Sequence, residues 1–196
     1  VYSGEAYTVC HKTTDYQLLI SQLNQVDGND LIQGTAIGVG LGTGVTQLRG
    51  DSTSSKAIIL LTDGKNNVGD IAPLEAAELA INEGVRVYTI GVGTNGYAPM
   101  PDMGGFSSGI VYSQVEIDEE ILQSISEKTG AKYFRATDSK SLKNIISEID
   151  KIEKKLVNQN QAAVPITTAP EVFLYTLVFF VSLVLISDIF LFVNYE

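Results

Sequence analysis

The sequence predicts an α/β protein with a doubly wound, mostly parallel sheet, followed by one C-terminal transmembrane helix. Three observations carry that reading. Short Val/Ile/Leu-rich runs alternate with segments of helical periodicity through residue 155. The run 57–61, Ala-Ile-Ile-Leu-Leu, shows no polar alternation, the pattern of a strand buried on both faces. Residues 172–193 are apolar apart from Thr176, Ser182, Ser187 and Asp188. At a rise of about 1.5 Å per residue, such a helix spans a bilayer core of roughly 30 Å.

The elements follow in order. Residues 1–12 read as the end of one strand and a second strand, turning at Ser3-Gly4-Glu5. Residues 13–24 fit a helix with Leu18, Leu19 and Leu23 inward. In 35–48, Gly38, Gly40, Gly42 and Gly44 argue for a loop, each costing about 1 kcal/mol against Ala in a helix interior. Ile37, Leu41, Val45 and Leu48 nevertheless fall at helical spacing. We read a glycine-rich helix whose small residues permit close packing on the sheet. The run 57–61 is the central strand.

Pro73 suits the first turn of the next helix, which carries Leu74, Ala77, Leu79 and Ile81 and stops at Gly84. Residues 86–90 form a strand, and 91–115 a long Gly/Pro-rich loop. Asp118 caps a helix carrying Ile121, Leu122 and Ile125, closed by Gly130. Residues 132–136 form the last strand. Asp138 starts a helix with Leu142, Ile145, Ile146, Ile149 and Ile152 on one face. The chain thus divides into a globular part (1–155), a polar Pro/Thr/Ala-rich linker (156–170) and the membrane helix (171–194).

Charge and cysteine content narrow the function. A net charge of −10 argues against a nucleic-acid surface, which needs clustered Lys and Arg. Cys10 is the only cysteine, so no internal disulfide forms. Catalysis by Cys10 with His11 is disfavoured, because neighbours on a strand point to opposite faces. Gly91-Val-Gly93-Thr-Asn-Gly96 matches a dinucleotide-binding pattern, but Pro99 and Pro101 forbid the helix that would receive a pyrophosphate. Gly64-Lys65 lacks both the upstream glycine and the Ser/Thr of a P-loop. No nucleophile, base and orienting acid assemble, so the chain is not read as an enzyme.

One constellation survives. The run Lys56-Ala-Ile-Ile-Leu-Leu-Thr-Asp63-Gly64 delivers a carboxylate to the carboxyl end of a parallel strand, where open α/β sheets bind ligands. Upstream, Gly34-Thr35-Ala-Ile-Gly38 offers a hydroxyl in a glycine setting. A hydroxyl and a carboxylate suit Mg²⁺ or Mn²⁺, which favour oxygen ligands and retain waters. The alternatives are local: Asp63 caps the turn at Gly64, and Thr35 caps the following helix.

The segments Ile59-Leu-Leu-Thr-Asp-Gly64, 34–38 and Val85-Arg-Val-Tyr-Thr-Ile-Gly-Val-Gly93 resemble a von Willebrand factor A (VWA) domain over residues 1–153. Val115-Glu-Ile-Asp-Glu-Glu and Lys132-Tyr-Phe-Arg-Ala-Thr extend the resemblance to the bacterial aerotolerance-type (Bat) membrane proteins. The resemblance implies a metal-ion-dependent adhesion site in which Thr35 and Asp63 match the second and third loops. It also implies a first loop, Asp-x-Ser-x-Ser, after the first strand. The sequence begins at Val1 and reads as a fragment that starts after that strand, so the site is incomplete. Asp51-Ser-Thr-Ser-Ser55 is a decoy, with Thr53 at the third position.

The resemblance implies an interaction module whose metal accepts an Asp or Glu from a protein partner. The long loop 94–115, with Tyr97, Met100, Met103 and Phe106, is the candidate specificity element. It further implies a bacterial inner-membrane protein with an extracytoplasmic globular part. Lys151, Lys154 and Lys155 before the span would suggest the opposite orientation, but a solvated helix face accounts for them. The rivals are a metal-free scaffold that joins other membrane subunits through Asp188, and a nucleotide-binding α/β enzyme.

Overall fold

The computed structural model describes residues 1–27, 32–50, 55–93, 96–101, 110–115 and 117–162. In chain order the elements are α1 (Tyr16–Asn24), α2 (Ile37–Leu48), β1 (Lys56–Thr62), α3 (Pro73–Asn82) and β2 (Val85–Val92), then β3 (Gly96–Pro101), β4 (Ile110–Val115), α4 (Glu119–Lys128), β5 (Tyr133–Ala136) and α5 (Ser139–Ala162). The chain divides into two compact units, Val1–Leu156 and Val157–Glu196. In the second, only the end of α5 is described.

The first unit is built on a parallel sheet in the order β1-β2-β5, as the alternation of strands and helices predicts. Its centre is β2, not β1. Val85 and Val87 join Leu60 and residues of α2, α3 and α4 in one core cluster. Tyr88 and Ile90, on the opposite face, join Ala136 and Ile145 and Ile149 of α5 in another. The sheet is therefore covered on both sides, and full burial of each such side chain stabilises by about 1.5–3 kcal/mol.

The run in β1 is buried on one face only. Leu60 and Thr62 are buried, whereas Ile59 and Leu61 are 38% and 40% exposed. The strand lies at the border of the described sheet, and the α5 cluster gathers over β2 and β5 without reaching it.

Three helices depart from their apolar patterns. Asp15 Oδ1 accepts from the backbone N–H groups of Gln17 and Leu18, so α1 starts at Tyr16. Leu18, Leu19 and Leu23 are exposed, contrary to the inward placement expected of them, because no described layer covers α1. In α3 the buried residues are Pro73, Ala76, Ala77 and Ala80, while Leu74, Leu79 and Ile81 are exposed. The reason is close approach to α2. A Cβ on Gly38 would collide with the carbonyl oxygen of Ile71, just before α3. Small residues face each other there, and the leucines are left outside. Along α5, Ile145 and Ile149 are buried but Ile146 is 39% exposed, so the inward stripe is narrower than five residues.

Residues 1–12 form no strand pair with the sheet. They make one isolated antiparallel bridge, Tyr2 to Ala6. The Ser3 and Gly4 backbone is instead bound to the loop before α2, through Gly4 N–H to Ile32 O and Ala36 N–H to Ser3 O. Part of the expected 91–115 loop is an antiparallel ribbon, β3 with β4. In a two-stranded ribbon each strand has a free edge, which tolerates the missing N–H groups of Pro99 and Pro101. Of the specificity residues, Met103 and Phe106 lie outside the described residues.

Asp138 caps α5, accepting from Lys140 and Ser141 N–H at 2.8 Å each. These bonds, led by that from Ser141, hold its carboxyl below the usual value. The helix continues through Ala162, past the expected start of the linker at 156. It is fastened to the sheet by Glu153, which receives Arg86 through Nε (2.9 Å) and Nη2 (2.6 Å), Tyr88 Oη (2.8 Å) and Ser55 Oγ (2.8 Å). Burial opposes the Glu153 charge, but the bonds from Arg86, Tyr88 and Ser55 outweigh it and keep its carboxyl below the ordinary range. Burial, followed by the bond to Glu153, pushes the Tyr88 phenol up to about 12. Among the described residues no helix is long and apolar enough to cross a membrane, and the apolar segment 172–193 lies outside them.

Candidate metal site at the strand ends

Asp63 follows the last residue of β1, where the sequence TDG breaks the strand. The turn is closed by Thr62, not by Asp63. Thr62 Oγ1 accepts from Gly64 N–H at 3.3 Å and donates to Gly64 O at 3.1 Å. Nor is Thr35 the N-cap of α2. That position is Ala36, which has no side-chain capping bond, and the first helical N–H, of Ile37, goes to Asn66 Oδ1 at 2.8 Å. Both local roles are thus filled by other residues.

Thr35 and Asp63 line one cavity of about 360 Å³, with Tyr2, Ser3 and Thr62. A Cβ on Gly64 would lie 3.2 Å from Thr35 Oγ1, so the hydroxyl rests against the residue next to Asp63. The glycine is what lets the two loops approach. Gly34, at φ +127°, sets the other side, since a Cβ there would meet Val68 at 2.6 Å. Asp63 is exposed and Thr35 half-buried.

Tyr2 forms a wall of the cavity. Its hydroxyl donates to Leu61 O at 2.6 Å, and its ring lies where a Cβ on Gly40 would come within 2.6 Å. Burial raises the Tyr2 phenol pKa, the Thr62 hydroxyl opposes that, and the Asp63 charge adds to it. Ser3 Oγ donates to Ile32 O and Gly34 O. Sequence reading missed Tyr2, Ser3, Asn66 and Asn67. The two asparagines carried a signal, because Asx side chains just after a strand-ending glycine compete for nearby backbone groups.

The donor chemistry fits a hard cation with most of its shell left to water: one carboxylate and one hydroxyl. Among the described residues, no group of three or more His, Cys, Asp and Glu could hold a metal ion. The glycine pattern at 91–96 offers no rival site. Gly93 has φ +106° and Gly96 begins strand β3, so among the described residues no helix starts there to receive a phosphate.

A parallel sheet wrapped by helices is the architecture of a known family. The model of the von Willebrand factor type A domain matches residues 1–148, and the chain belongs to that family. Among solved structures it is similar to the conserved hypothetical protein BatB from Bacteroides thetaiotaomicron, with 27% identity and a TM-score of 0.65 over 79% of this chain and 77% of that one. An aerotolerance-related membrane protein from Bacteroides fragilis matches with 22% identity and a TM-score of 0.61, over 81% of this chain and 76% of that one. Proximal thread matrix protein 1 of the mussel byssus, with a zinc-occupied MIDAS motif, matches with 21% identity and a TM-score of 0.51, over 82% and 33%. The last two likenesses show the fold alone. The chain spans about half the length of the curated relatives it matches.

Proposed function

We propose that this chain is part of a membrane-anchored interaction module in which Thr35 and Asp63 hold Mg²⁺ or Mn²⁺ and a protein partner's Asp or Glu completes the coordination. One observation carries the reading. The Thr35 hydroxyl and the Asp63 carboxylate meet in one cavity, and other groups perform the capping that would otherwise explain them. Among the described residues, neither side chain has a hydrogen-bond partner. Membership in the von Willebrand factor type A family supports a binding role rather than catalysis.

When bound, the cation would supply a positive charge with an open position for a carboxylate. Thr35 would contribute a neutral oxygen and Asp63 an anionic one, the remaining positions falling to water and to residues outside this chain's visible pair. Anchoring rests on the apolar segment 172–193, long enough as a helix to cross a bilayer core. On this reading the module lies at a bacterial inner membrane, with its globular part outside the cytoplasm.

The test is Mn²⁺ titration and chelator-sensitive partner capture in the full chain. Asp63→Ala is expected to abolish both. Capture that survives Asp63→Ala and excess EDTA would sink the metal reading and leave the metal-free scaffold, with which the lack of any group of three or more metal-ligating side chains among the described residues agrees.

A further inference from the structure

We propose that Asn66 and Asn67 are positioning residues that set the spacing between the Thr35 hydroxyl and the Asp63 carboxylate. This rests on the metal reading above and names what makes that pair a fixed one.

The loop after β1 and the loop before α2 are far apart in sequence, yet they are joined by three bonds. Thr35 N–H donates to Asn67 Oδ1 at 2.8 Å. Asn67 N–H donates back to Thr35 O at 3.1 Å. Ile37 N–H donates to Asn66 Oδ1 at 2.8 Å. Asn67 therefore grips Thr35 from both sides of its peptide, as a neighbouring strand would, and Asn66 supplies the capping bond that α2 lacks from its own N-cap.

Ser3 completes the hold. Its carbonyl accepts from Ala36 N–H and its hydroxyl donates to Gly34 O. Backbone groups at each position from 34 to 37 are thus committed to fixed partners. The side chain of Thr35 has little freedom left except its own χ1 rotation, which branching at Cβ already restricts. Because Asn66 and Asn67 lie only three and four residues beyond Asp63, the clamp that orients Thr35 also registers it against Asp63. A pair held in place this way binds a cation without first ordering two loops, which raises affinity through lower ordering cost.

A role confined to stability would lower the unfolding midpoint and nothing else. Positioning predicts more. In the full chain, Asn67→Ala is expected to speed amide exchange of Thr35, read by NMR without metal, and to weaken Mn²⁺ binding about 10–100-fold, the usual consequence of losing a group that orients a ligand. The Mn²⁺ electron paramagnetic resonance spectrum at saturation should change as well, because the Thr35 oxygen is no longer held. Asn67→Asp keeps the Oδ1 acceptor and should restore protection of Thr35. Asn66→Ala should expose Ile37 N–H to exchange with a smaller effect on Mn²⁺. Unchanged exchange at Thr35 in Asn67→Ala, or faster exchange with unchanged Mn²⁺ affinity and spectrum, would overturn the proposal. Loss of Mn²⁺ binding in Asp63→Ala tests the metal reading separately, since that variant leaves both asparagines in place.

Discussion

By composition, α1 should be a core helix and α2 a loop. The structure reverses them. The leucine-rich α1 buries no residue, whereas α2, with four glycines, buries Ile37, Gly38, Leu41, Gly42 and Val45. The difference teaches that burial follows how closely two backbones can approach, and hydrophobic count decides only once a partner layer exists. Alanines on α3 and glycines on α2 supply that approach, and the apolar side chains of α2 then reach the sheet. The leucines of α1 meet no covering layer among the described residues.

The largest expected effect comes from testing the two helices with the same truncation. Leu41→Ala, fully buried in α2, should cost about 2–5 kcal/mol in urea unfolding. Leu19→Ala in α1 should stay within about 0.5 kcal/mol, as surface substitutions do. Equal losses would break the contrast.

A sharper version lies within α2. Gly38→Ala should destabilise by about 1–3 kcal/mol, because its Cβ meets main chain that cannot move aside. Gly42→Ala meets only the Ile71 Cδ1 at 3.5 Å, an ordinary contact, and should be neutral or stabilising by up to about 1 kcal/mol. Similar midpoints for the two variants would refute the close-approach account.

The third helix in the comparison, α5, is held by charge as well as by shape. Glu153→Gln should cost about 1.5–3 kcal/mol, the range for hydrogen bonds to charged groups, with the lower end favoured by partial exposure. Its pH dependence has a defined sign. The folded carboxyl lies below the ordinary value of 4.5, so its contribution is present above that pH and fades as the pH falls through the folded value. The variant should lack this acid-side loss when unfolding midpoints are compared from pH 6 to 3.

Much of this was readable in the sequence. The three parallel strands, the helices between them and the helix over glycine-rich 37–48 follow from periodicity, whereas the pairing of Thr35 with Asp63 is suggested by residue type at a strand end and strengthened by the family resemblance. What was not readable depended on tertiary neighbours. The run 57–61 looks the same whether one face or two are covered, and only the sheet order shows that Ile59 and Leu61 face outward. Residues 1–12 have strand-like composition, but their backbone groups find partners in the loop before α2. Alanine outranks leucine on the inner face of α3 because of Gly38, a residue from another element. The partner loops of Asn66 and Asn67 are also remote in sequence, so their signal pointed to local bonds without saying which.

Tyr2 gives the cavity two walls of unequal durability. The floor belongs to the end of β1 and the loop before α2, both anchored to elements of the core. The outer wall is residues 1–3, held by the Tyr2 hydroxyl on Leu61 O, by the Tyr2 ring against the core, and by backbone bonds to the loop before α2. Each such bond contributes only about 0.5–1.5 kcal/mol net. Residues 1–3 are thus held at the cavity by several modest contacts acting together, the Tyr2 ring against the core among them. Because the Tyr2 phenol titrates above its ordinary value of 10, its hold is intact below that pH and lost as the pH rises through the folded value.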